Sequence, residues 1–158
     1  MNISILAVGK LKDRFFEEGC AEYEKRLARY CTFDIREAAD EKAPENLSPA
    51  QQEQVKEKEG RRLLNLLDSR DHVIALTVTG KACTSEGLAA RIGTLRDAGK
   101  NVSFLIGGSL GLSKEAVDRA DEELSLSKLT LPHRLARLVL LEQLYRSFKI
   151  LNHETYHK

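Results

Sequence analysis

The sequence predicts an α/β fold, a mostly parallel sheet flanked by helices and carried by one domain over residues 1–158. Three observations lead there. Short apolar runs rich in β-branched residues recur along the chain, most clearly Ile3–Val8, His72–Val78 and Val102–Ile106. Each is followed by a segment with helical spacing or a capping residue, and strand–helix alternation of this kind produces parallel sheets covered by helices. Glycines stand where the runs end, at Gly9, Gly80 and Gly107. Sheets of this class bind ligands beyond the carboxyl ends of their strands, so the turns there are the places to search.

Ile3–Val8 is an unbroken apolar run except for Ser4, as in a buried strand, and Gly9 closes it. Asp13 is placed to cap a helix reaching about Tyr30, in which Phe16, Tyr23, Leu27 and Tyr30 form a narrow apolar stripe. Thr32–Arg36 alternates with period two and reads as a strand with one wet face near a sheet edge, followed by an acidic loop. Ser48-Pro49 starts a helix to about Leu67: the hydroxyl can accept from an orphan N–H and proline at the first helical position loses no bond. Gly60 inside that helix costs about 1 kcal/mol relative to alanine and points to close packing or a kink. The strand His72–Val78 ends at Thr79-Gly80-Lys81, and Thr84 or Ser85 caps a helix to about Ala98 that Gly99 stops. Val102–Ile106 is the next strand, and Ser113 caps a helix to about Glu123. Leu124–Leu131 alternates over eight residues as a strand would, and Pro132 opens a final helix to about Leu151.

Composition excludes several classes. No purely apolar stretch exceeds four residues, as in Leu138–Leu141, far below the roughly 20 that a bilayer span needs, and the start lacks a charged leader region. Cys20, Cys31 and Cys83 are odd in number and widely spaced, which fits a reducing cytoplasm and neither a disulfide scaffold nor a zinc finger. The formal net charge of +1 argues against nucleic acid until it is resolved along the chain: residues 34–59 hold four cations and eight acids, residues 125–158 six cations and two acids. The basic end is either a solvated helix and tail or a phosphate-facing surface.

Gly107-Gly108-Ser109-Leu110-Gly111 joins a strand end to a helix start, where backbone N–H groups can approach a ligand closely. Its spacing matches neither G-x-G-x-x-G nor the P-loop, so it is a tight turn or a ligand loop of another kind. His153-Glu154-Thr155-Tyr156-His157 matches the string H-E-x-x-H, but that chemistry needs a buried helix and a third ligand, and no metal site is expected. A tail closing over a site is the better expectation. Leu124–Arg134 sets the hydroxyls of Ser127 and Thr130, the cations Lys128 and Arg134 and the imidazole of His133 at a strand-to-helix junction, a candidate pocket beside the glycine turn. The last helix carries two stripes, Leu135, Leu138, Tyr145 and Phe148 on one and Leu140, Leu144 and Leu151 on the other, which implies complete burial or, the preferred expectation, a homodimer.

Val8-Gly9-Lys10, Leu105-Ile106-Gly107-Gly108 with Gly111, Leu126 through His133, Glu142 through Arg146 and the closing Tyr156-His157-Lys158 together resemble the ribosomal RNA large subunit methyltransferase H family. The resemblance spans nearly the whole chain. It implies a SPOUT-type α/β domain with a C-terminal trefoil knot, which topology rules alone would discard, and a homodimer. It implies S-adenosyl-L-methionine as methyl donor to N3 of a pseudouridine, position 1915 of 23S rRNA, within the assembled ribosome. By motif it places Leu76, Gly107, Gly108, Leu126, Ser127, Lys128, Leu129, Thr130, Leu131 and Pro132 at the cofactor, largely through backbone groups. A base for the weakly acidic N3–H is then expected in His133 or the tail's His157, with Arg134 or Arg137 steadying phosphate or anion. The rival readings are a non-catalytic RNA-binding protein using the basic C-terminal segment and a small-molecule enzyme using the glycine turn.

Overall fold

The computed structural model describes residues 1–158. Five strands, β1 (Asn2–Val8), β2 (Thr32–Ala38), β3 (His72–Ala82), β4 (Val102–Ile106) and β5 (Glu122–Ser125), form one sheet in the order β2-β1-β4-β3-β5. Every neighbouring pair is parallel. The central strands β1 and β4 are the continuous apolar runs, and both are buried. The polar alternation of β2 suits the edge that it occupies.

The helices are α1 (Arg14–Leu27), α2 (Pro49–Leu64), α3 (Ser85–Asp97), α4 (Lys114–Arg119) and α5 (His133–Leu151). α1, α3 and α5 cover one face, closing the larger apolar core around Ile3, Ile5, Phe104, Leu140 and Leu144. α2 and α4 cover the other, over Leu6, Val8, Leu63, Leu105 and Ala116. Hydroxyl caps set several helix starts. Ser48 and Gln51 form a complete capping box on α2, and Thr84 and Ser113 accept from Gly87 and Ala116 N–H at 3.0 and 3.2 Å. Asp13 precedes α1 without capping it, because its carboxylate is paired with Arg134.

Three elements depart from the periodicity. β3 does not stop at Val78: residues 77–80 bulge outward, so that Leu76 and Lys81 both stand opposite Leu124 of β5. The alternation of Leu124–Leu131 is strand only to Ser125; residues 126–132 form a loop. There the hydroxyls bend the chain, Ser125 Oγ donating to Ser127 O at 3.0 Å and Ser127 Oγ accepting from Leu129 N–H at 2.9 Å. α4 ends at Arg119 because Asp121 joins the sheet edge, its N–H donating to Val73 O and its carboxylate accepting from Val73 N–H.

Much of both apolar stripes of α5 packs within the chain, and none of its residues is exposed. Leu140, Leu141, Leu144 and Phe148 face the sheet, while Leu138 packs on Gly19 of α1 and Leu151 on Gly93 of α3. Leu135, Leu138, Tyr145 and Leu151 stay half-buried, so α1 and α3 cover the two stripes only in part. Arg137, 2% exposed, is the largest fully buried side chain; it donates to Glu37 Oε1 at 2.5 Å and to Gly9 O at 2.9 Å.

Gly60 answers the question its helix raised, since a Cβ there would stand 2.1 Å from Ser113 Oγ and 2.9 Å from Ser113 Cβ. Gly60→Ala should therefore destabilise by about 1–3 kcal/mol through overpacking, against the roughly 1 kcal/mol that helix propensity alone would gain. Urea denaturation decides between the two signs.

Candidate active site

A cleft of about 910 Å³ opens beyond the carboxyl ends of β4 and β5 and beside the bulge of β3. Leu76–Thr79 line one side, Ile106 and the Gly107–Leu112 turn a second, and Glu123–Ser127 with Leu129–His133 a third, and Ala136 of α5 also contributes.

The glycine turn is folded tightly on itself. A Cβ on Gly107 would lie 2.4 Å from the carbonyl carbon of Gly111, and Gly111 adopts φ +89°, a conformation open to glycine at little steric cost. Gly108 and Gly111 pair across the turn, Gly111 N–H donating to Gly108 O at 3.1 Å. Bare backbone therefore faces the cleft from this side. Leu76, Ile106, Leu126 and Leu131 supply apolar wall, so the cleft can take a flat apolar ring whose polar edge meets main-chain groups.

Leu76, Gly107, Gly108, Leu126, Ser127, Leu129, Thr130, Leu131, Pro132 and His133 are thus brought together around one cleft, although only the glycine and Leu126–His133 segments looked local in sequence. Lys128 is exposed and points outside the lining. Arg134 is held by Asp13. His157 lies elsewhere: its Nε2 is 2.8 Å from Glu86 Oε1 and its Nδ1 3.3 Å from Arg146 Nη1. The tail is latched to α5 by Tyr156, whose ring packs on Tyr145 at 5.0 Å and whose hydroxyl donates to Glu142 at 3.1 Å. Residues 153–157 are not helical, and His153 has φ 54° in a helix-terminating turn where Glu154 N–H donates to Lys149 O at 2.9 Å. The H-E-x-x-H string consequently lacks the helical i,i+4 geometry of its metal-binding namesake, and no group of three His, Cys, Asp or Glu side chains is placed to hold a metal ion.

The electrostatics of the site are set mostly by pairing. Arg134, Arg137, Arg146 and Lys149 each face a carboxylate, so the basic segment 125–158 does not present a free basic face. On the side of the strand ends, Lys10, Lys12, Lys42 and Lys128 are exposed and stand outside those pairs. His133, half-buried at the first turn of α5, is held below the ordinary imidazole range by burial first and then by the Arg134 and Arg137 guanidinium groups.

Comparison with known proteins converges on one group. A family model described as a predicted SPOUT methyltransferase matches residues 1–157. The chain is 55% identical over 159 residues to a ribosomal RNA large subunit methyltransferase H of Bacillus thuringiensis, covering 100% of both, and 54% identical to the protein of that name in Bacillus cereus over the same extent. Among solved structures it resembles a probable methylase family protein of Haemophilus influenzae with a TM-score of 0.60 at 12% identity, over 99% of this chain and 70% of that one. A putative methyltransferase of Legionella pneumophila, solved in complex with bound SAM, superposes with a TM-score of 0.51 at 11% identity, over 94% of this chain and 66% of that one.

The lowered pKa of His133 has a measurable consequence. The unfolded chain holds the imidazole proton more tightly than the folded one, so this residue's stabilisation is complete above about pH 6.5 and is lost as pH falls below that. Thermal melts between pH 7.5 and 5 (about the imidazole range) should show a steeper fall in Tm for the native chain than for His133→Gln.

Proposed function

The chain belongs to the SPOUT methyltransferases, within them to the ribosomal RNA large subunit methyltransferase H family, and on that premise we propose that it moves the methyl group of S-adenosyl-L-methionine to N3 of a pseudouridine in 23S rRNA on the ribosome. The observation that carries this reading is the cleft: a turn of three glycines and a loop of Leu126–Pro132 face each other at the strand ends with a neutral imidazole at the lip. The residues fit the donor. The volume of about 910 Å³ lies within the range of cofactor sites. Leu76, Leu126 and Leu131 would hold adenine by packing, and backbone groups of the glycine turn and of the 126–132 loop would meet its edge.

When bound, the donor supplies a methyl group already attached to its sulfonium leaving group. The chain's own work is then alignment and proton removal. His133 lines the cleft, is uncharged at neutral pH and has no side-chain partner, so its ring can accept the N3 proton. Arg134, immobilised by Asp13, keeps the first turn of α5 and hence His133 in place.

Two features of the family belong to the same proposal. Phe15, Val78 and Leu129 remain 71%, 67% and 75% exposed, and two of them line the cleft; such side chains support a homodimer in which a second copy covers the rim. The order of the sheet, with β5 beyond β3 and the chain returning to seat α5 between α1 and α3, supports the threaded C-terminal segment of a trefoil knot. No helix is long and apolar enough to cross a membrane, and a cytoplasmic place beside the ribosome is part of this reading.

Tritiated methyl transfer should label whole ribosomes, with free rRNA and separate subunits as comparison substrates; absence of label on all three, with no binding of the donor by calorimetry, would favour a non-catalytic RNA-binding protein. His133→Ala should slow single-turnover methylation by about 10²–10⁴-fold, and a change below about threefold would remove the imidazole from the mechanism. The paired Lys10→Ala and Lys12→Ala change should weaken ribosome binding and lower its salt dependence by roughly 0.7–0.9 in log–log slope per lost phosphate contact, while leaving donor affinity unaltered.

A further inference from the structure

Helix α2 lies behind the glycine turn, on the side away from the cleft. Its residue Glu59 is 4% exposed, yet only one of its carboxyl oxygens is used: Oε1 accepts from Glu41 N–H at 3.0 Å, while Oε2 is buried and has no partner. The carboxyl group occupies the space where a Gly108 side chain would be. A Cβ on Gly108 would lie 2.9 Å from Oε2 and 3.3 Å from Oε1. The next residue, Gly60, brings α2 against Ser113, where the same turn enters α4. Arg62, one turn further, donates to Ala39 O at 3.0 Å and pairs with Glu41, so the loop after β2 is fastened to the same helix face.

A buried carboxyl with an unused oxygen is an expensive way to fill space, for an apolar side chain of the same size would leave no acceptor stranded. Only the Nε atoms of Arg134 and Arg137 share this condition, each on a guanidinium otherwise paired with a carboxylate, whereas the Glu59 carboxyl has no cation bonded to it; a group left so marks a functional constraint. We propose that Glu59 is the positioning residue of the cofactor cleft: its carboxyl group, seated against Gly108, sets where the Gly107–Gly111 turn stands and thereby how tightly the cleft binds its cofactor. Glu59 touches neither the cleft nor the reacting atoms, and acts through the turn. Burial, with Asp40 and Glu41 nearby, raises its pKa, while the Glu41 N–H bond and Arg62 oppose the rise. A neutral side chain of the same shape therefore suits the site.

The proposal rests on the reading of the cleft as a methyl-donor site, and its test separates the two. Glu59→Ala should raise the Kd for S-adenosyl-L-methionine about tenfold or more, with kcat at saturating donor within about threefold of the native value. Glu59→Gln, which keeps the shape and the acceptor for Glu41 N–H, should restore the Kd to within about threefold. Amide exchange at Gly111, whose N–H is bonded to Gly108 O, should quicken about tenfold in Glu59→Ala and not in Glu59→Gln. An unaltered Kd in Glu59→Ala, or a Glu59→Gln protein as weak as Glu59→Ala, overturns the assignment. If Glu59→Ala does not fold, Glu59→Asp, one methylene shorter, decides in its place: a native Kd overturns. Should the native protein itself fail to bind the donor, the reading of the cleft falls, and the Gly111 exchange rates still decide the role of Glu59.

Discussion

The buried guanidinium of Arg137 constrains more of this structure than any other single group. It sits in the first half of α5 with its Nη atoms committed to Glu37 at the end of β2 and to the carbonyl of Gly9 just past β1. Arg137 is buried while Glu37 reaches solvent, so removing Glu37 leaves a buried cation without its counter-charge and destabilises the fold. Only one rotation of α5 about its axis satisfies these bonds. In that rotation His133, four residues earlier on the same face, is directed to the cleft, and Leu140 and Leu144 are directed to the sheet. Apolar surfaces alone would not select it so sharply, since α5 is apolar on more than one face. The cation supplies the register that hydrophobic burial leaves open.

The cleft follows from two rigid turns held at fixed separation by the sheet. The Gly107–Gly111 turn is fixed from within by the approach of Gly107 to Gly111 and from behind by α2, where Gly60 permits contact with Ser113. The 126–132 loop is fixed by Ser125 and Ser127 at one end and by the start of α5 at the other. Both turns leave parallel strands at their carboxyl ends, where this class of sheet opens its binding crevice. Aliphatic side chains, small residues and main-chain groups make up the walls, so the site is poor in charged side chains although the chain is rich in them.

Much of this was legible in the sequence, and what was not has physical causes. β1 and β4 lie inside the sheet, so their runs are apolar but for one serine each, Ser4 and Ser103; hydroxyl caps at Ser48, Thr84 and Ser113 announced three helices. The period-two pattern of Leu124–Leu131 misleads because the serines that supply its polar half bond to the backbone after Ser125 and bend the chain out of the sheet, so that all of the segment but Lys128 lines the cleft. The bulge in β3 is set by backbone pairing with β5, which no local propensity reports. The two stripes of α5 indicate burial on two sides, which its seat between α1 and α3 meets for Leu140, Leu144 and Phe148 and only in part for Leu138, Tyr145 and Leu151. Lys128 and His157 belong to motifs whose neighbours reach the cleft, but motif membership does not fix where a side chain points. Glu59 and Gly60 were half visible: a glycine inside a helix signalled close approach, and nothing local said what approached.

The opposite uses of arginine and lysine bear on how a chain with a net charge of +1 can serve a polyanion. Eleven of the thirteen arginines are in ion pairs with the protein's own carboxylates, but only three of the twelve lysines are. The planar, forked guanidinium is the better partner for a fixed carboxylate, so arginine is spent on the fold; the flexible ammonium is left for solvent and phosphate. Net charge then misstates the surface, because most of the cations that it counts are already neutralised locally. What remains on the cleft side is a handful of lysines on the loops after β1, β2 and β5, enough for a few phosphate contacts and too few for tight binding to arbitrary RNA. Selectivity under those conditions has to come from the shape of a preformed RNA surface, because so few free cations give little preference among phosphate backbones.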